Sequence, residues 1–183
     1  MQLKSIITAA VMALLLTASS SSIAAPKVGD KSPNFSLQDQ NNITHTLSDY
    51  ESQWVVLYFY PKDDTPGCTT QACDFRDAVK RIIVSKAVVF GLSLDSVVSH
   101  KLFAEKYNLP FSLLSDETGE VSELYDSLSN LLIYKVAKRN TLIVDPEGNI
   151  AKIYLSVDPK THSEMVLNDL YSIQKASDKP ESN

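Results

Sequence analysis

Apolar residues along this chain fall into two rhythms. Short unbroken runs alternate with stretches that return to an apolar position every three or four residues. Residues 54–60 form a nearly continuous apolar run of strand length, as a buried central strand would. Residues 67–84 carry the helical rhythm, and 87–94 form a second buried strand ending at Asp95. A helix is expected over 97–107, stopped by Leu109-Pro110. A short strand over 111–114, a short helix over 117–125 and a strand over 140–144 follow. Pro146-Glu147-Gly148-Asn149 is a turn, from which 150–157 pairs back as a hairpin. The last helix covers 159–173. Before all of these, a turn-rich stretch at 39–42 and an alternating stretch at 43–47 predict a small N-terminal hairpin. Strands alternating with helices, without repeat or internal linker, describe one α/β domain over residues 26–175.

Two flanks do not belong to that domain. Residues 1–25 combine an early lysine, Lys4, with an apolar run over 6–18, a serine run and Ser22-Ile23-Ala24-Ala25. This is the layout of a secretory signal cut after Ala24 or Ala25, and the apolar run is short for a membrane span. An uncleaved anchor is the alternative reading. The expected location is outside the cytoplasm, in a bacterial periplasm, with no membrane attachment once the signal is gone. Residues 176–183 form a polar tail. The 183 residues suffice for one sizeable core, and a hydrophobic content of 44% with 21% charged residues is ordinary. A net charge of −5 gives no reason to expect nucleic acid as a partner.

The chemistry concentrates at the only two cysteines, Cys68 and Cys73. An exported chain with two cysteines commonly pairs them as a staple. Their setting argues otherwise. Cys68, Ala72, Phe75, Val79 and Ile82 mark one helical face, and Cys73 lies about 140° away from Cys68 around the same helix. Five residues of intact helix separate two Cα atoms by about 8.7 Å. A disulfide needs about 4.4–6.8 Å. The two cysteines therefore bond only if the helix unwinds, which favours a reversible switch. A staple stays open if the segment is not helical. Thr65 is the expected N-cap and Pro66 the first helical residue, so Cys68 falls in the first turn, where free N–H groups and the helix dipole favour a thiolate. His45, His100 and His162 are scattered, His100 on an expected exposed helix face, and two cysteines alone do not make a zinc site. No cofactor or metal is expected.

Pro61-x-x-x-Thr65-x-x-Cys68 resembles the signature of peroxiredoxins. The longer run Tyr60-Pro61-Lys62-Asp63-Asp64-Thr65-Pro66-Gly67-Cys68-Thr69, with Cys73 five residues on, is similar to the bacterioferritin comigratory protein or peroxiredoxin Q subfamily. Gly29-Asp30-x-x-Pro33-x-Phe35-x-Leu37, Leu92-Ser93-x-Asp95 and Arg139-x-Thr141-x-Ile143-x-Asp145-Pro146-x-Gly148 extend the resemblance over about 28–171.

The resemblance implies a thioredoxin-like fold, a central mixed sheet flanked by helices with an N-terminal hairpin extension. It implies a peroxidase acting on hydrogen peroxide and organic hydroperoxides. Cys68 would be the peroxidatic cysteine and Cys73 the resolving one within the same chain, with Thr65, Pro61 and Arg139 completing the site. A thioredoxin-like dithiol protein would be the reductant, and the chain would act as a monomer. The rival readings are an exported thiol-disulfide exchange protein of the same fold and a non-enzymatic binding module.

Overall fold

The computed structural model describes residues 24–177. The expected leader lies outside the described residues except for Ala24 and Ala25, and so does the polar tail beyond Ser177. Nine strands and four α-helices are present among the described residues. Strands β1 (Ser36–Asp39) and β2 (Thr44–Thr46) form the N-terminal hairpin, followed by a 3₁₀ turn at Leu47–Tyr50. Then come β3 (Trp54–Phe59), α1 (Pro66–Val84), β4 (Ala87–Ser93), α2 (Val97–Tyr107), β5 (Ser112–Ser115) and α3 (Glu120–Leu124). The chain continues through β6 (Leu128–Leu131), β7 (Tyr134–Ala137), β8 (Thr141–Val144), β9 (Ile150–Tyr154) and α4 (His162–Ser177).

Seven strands make one mixed sheet in the order β2-β1-β5-β4-β3-β8-β9. The central trio β3, β4 and β5 is parallel, and the pairs outside it are antiparallel. Strand β3 is buried along its whole length, which is why its sequence reads as an unbroken apolar run rather than an alternation. The pleat sends Trp54, Val56 and Tyr58 to one face, where α1, α2 and α4 cover them through Phe75, Ile82, Phe103, Val166 and Leu170. Val55, Leu57 and Phe59 go to the other face and meet Phe35, Leu47, Val121 and Tyr125. The parallel arrangement puts the C-terminal ends of β3 and β4, and the loops leaving them, side by side.

Gly91 in β4 permits a close approach. A Cβ there would lie 2.6 Å from the Tyr58 ring. The Tyr58 ring in turn stacks on Phe75 of α1 at 4.8 Å between centroids.

Three expectations need correction. His100 is not on an exposed face but completely buried. It shares one side of α2 with Phe103 and Ala104, at helical spacing. Residues 128–137, between the helix expected over 117–125 and the strand expected over 140–144, where no element was expected, form the separate hairpin β6–β7. Its tip exposes Leu131, Leu132, Ile133 and Tyr134. The Thr65 side chain donates to the Lys62 carbonyl at 3.0 Å, in place of the expected bond from its oxygen to a helix N–H.

Candidate active site

The loop 60–65 leaves β3 and turns the chain into α1. The turn is tight enough to put Asp64 in the left-handed region at φ 56°, a conformation that aspartate tolerates better than most residues. Asp64 is held there by Lys106 Nζ at 2.6 Å and Tyr107 OH at 2.7 Å. Those contacts hold its carboxyl below the usual carboxylate range, chiefly through the Lys106 hydrogen bond.

Helix α1 starts at Pro66, whose missing N–H costs nothing in the first turn. The first helical bond runs from Thr69 N to the Thr65 carbonyl at 2.8 Å. The N–H groups of Gly67 and Cys68 precede that bond and point toward the helix entrance. Cys68 is 1% exposed on the face that also carries Ala72 and Phe75, whereas Cys73 is half-buried. Both thiols are free. The helix is continuous from Pro66 to Val84, so both cysteines share one intact helix. At five residues apart they stand about 8.7 Å from Cα to Cα, beyond disulfide reach.

Arg139 reaches the sulfur. Its Nη2 donates to Cys68 Sγ at 3.3 Å, and its Nη1 donates to Gln71 Oε1 at 2.6 Å. The arginine is aimed from both flanks of its backbone. Lys138 N donates to the Ser127 carbonyl at 2.7 Å at the base of the β6–β7 hairpin, and Val157 N donates to the Arg139 carbonyl at 3.0 Å. Gly67 leaves room for the guanidinium, since a Cβ at that position would lie 3.2 Å from Nη2. Gln71 is completely buried and offers Arg139 a neutral oxygen rather than a carboxylate. The positive charge of Arg139 is therefore left to act on the sulfur.

His162, at the start of α4, is also completely buried. Its Nε2 pairs with Thr141 Oγ1 at 2.7 Å, and its ring meets the edge of Phe75. Burial, reinforced by the nearby Arg139 charge, pulls its pKa down to about 4. The ring is neutral at ordinary pH and adds no second cation beside Arg139.

Of the residues expected from the sequence, Cys68 and Arg139 are in direct contact. Thr65 and Pro61 lie on the loop that enters the cysteine helix, both half-buried. Cys73 stands apart, on another side of α1. Sequence reasoning missed Gly67, the role of Gln71, and the buried His162. Gln71 was signalled by its place one helical turn after Cys68. His162 gave no comparable sign, because its burial depends on α4 crossing behind β8.

A free thiol in the first turn of a helix, faced by an arginine at the ends of a mixed sheet, defines a thiol-based redox enzyme rather than a stapled module. The chain belongs to the AhpC/TSA family, whose model matches residues 28–153. Within that family it is a peroxiredoxin of the Bcp and PrxQ kind, a peroxidase of the atypical two-cysteine class. It is 40% identical over 154 residues to Peroxiredoxin Bcp of Bacillus subtilis, covering 79% of this chain and 94% of the relative. It is 45% identical over 139 residues to the chloroplastic Peroxiredoxin Q of Triticum aestivum, covering 75% of this chain and 64% of that one. The solved PrxQ of Xylella fastidiosa, a cysteine-to-serine mutant, superposes with a TM-score of 0.78 at 32% identity, covering 82% of this chain and 99% of that chain. The fold is thioredoxin-like, with the β1–β2 hairpin as an N-terminal extension of the sheet.

Proposed function

We propose that Cys68 is the peroxidatic nucleophile of this peroxiredoxin and Cys73 its resolving partner, within one chain. The observation that carries this reading is the 3.3 Å bond from Arg139 Nη2 to a buried sulfur in the first turn of α1. A disulfide-exchange enzyme needs an accessible sulfur. A peroxidase needs a shielded one with fixed positive potential where the O–O bond will break.

The Cys68 thiolate attacks the terminal oxygen of a hydroperoxide. The S–O bond forms as the O–O bond breaks, and the leaving alkoxide or hydroxide takes a proton and departs as alcohol or water. Arg139 and the first-turn N–H groups stabilise the charge moving onto the departing oxygen. The Thr65 hydroxyl proton is committed to the Lys62 carbonyl, which leaves its oxygen free to accept the peroxide proton. Pro61 closes the loop side of the pocket against water. Cys68 is left as a sulfenic acid. Once the first turns of α1 open, the Cys73 thiol condenses with it, forming a disulfide and releasing water. An external thioredoxin-like dithiol then reduces the disulfide by exchange and becomes a disulfide itself. Because both sulfurs belong to one helix, no second subunit is required, and the working unit is a monomer of residues 26–175. The leader-like sequence over 1–25 is what supports a location for that unit outside the cytoplasm, and an exported enzyme would need its dithiol reductant supplied there too.

Stopped-flow oxidation of the reduced protein by hydrogen peroxide and by an organic hydroperoxide tests the assignment. The wild type oxidises rapidly to the intramolecular disulfide. Cys73→Ser completes one turnover and stops at a sulfenic acid that a dimedone probe captures. Capture of that sulfenic acid at Cys73 in a Cys68→Ser protein would reverse the two roles.

A further inference from the structure

The loop that carries Pro61 and Thr65 is bound to α2 by a buried polar cluster that the peroxide chemistry does not use. Asp63 is 7% exposed and His100 is completely buried. Asp63 Oδ1 accepts from Tyr60 OH at 2.7 Å, and Oδ2 accepts from Ser99 Oγ at 2.7 Å. His100 Nδ1 lies 2.9 Å from the same Oδ2. Its other nitrogen, Nε2, lies 3.2 Å from the carbonyl oxygen of Leu114 in β5. Asp63 N donates to Asp95 Oδ2 at 2.8 Å, which in turn accepts from Ser93 Oγ at 2.8 Å. Lys62 Nζ reaches the other Asp95 oxygen at 3.5 Å.

The donor count at His100 is decisive. A peptide carbonyl only accepts, so Nε2 carries a proton. On the opposite side, Nδ1 faces a carboxylate oxygen. Asp63 already takes two hydroxyl donors, the arrangement of an ionised carboxylate. Burial and the Asp63 charge raise the Tyr60 phenol well above its ordinary value, so Tyr60 keeps its proton; its oxygen lies 2.7 Å from Asp63 Oδ1 and 3.3 Å from His100 Nδ1, which makes the carboxylate its nearer acceptor. A neutral imidazole has one N–H and cannot serve two acceptors at once. With Asp63 ionised, Nδ1 carries a proton as well.

We propose that His100 is an imidazolium locked in a buried ion pair with Asp63, and that the two are positioning residues for the peroxide reaction. The pair holds the Pro61–Thr65 loop against the mouth of α1. Neither side chain touches Cys68 or the peroxide. Their effect reaches the chemistry only through the placement of Thr65 and Pro61. Breaking one partner of such a pair leaves an uncompensated buried charge, so the loop should shift rather than tolerate the loss. This inference rests on Cys68 being the peroxidatic sulfur, but its first test does not.

That test is a ¹⁵N–¹H spectrum of the reduced wild-type protein, recorded for the histidine ring nitrogens. His100 shows protons on both nitrogens while His162, held by Thr141 and left neutral, shows one. A single-proton signature for His100 overturns the ion pair, whatever the enzyme does with peroxide. The kinetic test uses Asp63→Asn and His100→Gln. Each slows Cys68 oxidation by about tenfold or more, as displacement of positioned groups does. The following condensation with Cys73 changes less than about twofold, because α1 downstream of Cys68 is untouched. Equal slowing of both steps, or of neither, overturns the positioning role. Val166→Ala, in the core behind α4, controls for lost stability. It leaves oxidation unchanged at a matched drop in melting temperature, and slowing there as well would reduce the loop variants to general destabilisation. If the wild type fails to consume peroxide at all, the Cys68 assignment fails and the histidine signature still stands.

Discussion

Cys68 has a stiff side and a yielding side. Upstream, loop 60–65 is tied to α2 through Asp63 with His100 and Ser99, through Asp64 with Lys106 and Tyr107, and to the end of β4 through Asp95. Downstream, the first turns of α1 rely on their own helical bonds, on the Gln71 contact with Arg139, and on a Thr70 hydroxyl that bonds back to the Pro66 carbonyl at 3.0 Å. Cys73 itself is half-buried. The difference matches what each side must do. If Cys68 is the peroxidatic sulfur and Cys73 the resolving one, as proposed, the groups that meet the peroxide must not move, and the helix that delivers the second sulfur must. A protein that loosened both sides would lose the pocket each time it resolved, and one that fixed both would stop at the sulfenic acid.

Amide exchange offers the largest contrast. On oxidation, amides of residues 68–74 should lose their protection, while the Asp63 amide, bonded to Asp95, keeps it. Equal protection of 68–74 in both redox states would falsify the switch. Arg139→Ala should lower the rate of Cys68 oxidation by about 10²–10³-fold, the scale of removing a fixed donor from a developing charge. It also strips Gln71 of the partner of its oxygen. A change below tenfold in stopped-flow rates would shift the burden to the helix N–H groups alone.

Acid should strike the yielding side first. His162 packs on Phe75 of α1, and its pKa is about 4 when folded against an ordinary value of 6.5. Below 6.5 the unfolded chain binds a proton that the folded one refuses, so stability rises with pH across this window. The contribution is complete above about 6.5 and falls by about 3 kcal/mol as pH drops toward 4. Urea melts at a series of pH values should show this slope in the wild type and a shallower one in His162→Gln; parallel slopes would assign it elsewhere. Gly67→Ala should give the smallest effect. The new methyl carbon 3.2 Å from Nη2 moves the guanidinium by a few tenths of an ångström, and oxidation slows by about two- to fivefold. A pocket that tolerates alanine at full rate would mean that Arg139 is free to swing.

Most of the frame was legible before any coordinates. Buried strands announce themselves as apolar runs, and α2 carries its own stop in Leu109-Pro110. The Cys68 face of α1 follows from spacing alone. Arg139 was reached only through a sequence run, because its contact with Cys68 depends on β8 lying beside β3. The hairpin β6–β7 was missed because Leu131, Leu132, Ile133 and Tyr134 crowd its tip and hide the alternation of its strands. His100 is expected on an exposed face, although its spacing from Phe103 and Ala104 points inward. A lone histidine in a helix gives no hint of an aspartate 37 residues earlier.

The Phe75 stack on Tyr58 has a consequence for how far α1 can come apart. Phe75 is completely buried, two residues past Cys73, and its ring lies on a tyrosine that Gly91 allows to sit flat against β4. Fraying that begins at Pro66 passes both sulfurs and then meets this aromatic stop, much as a zip meets its end piece. Opening as far as this stop gives up only Cys68 and Ala72 of the core face of α1, and leaves Phe75, Ala78 and Ile82 packed.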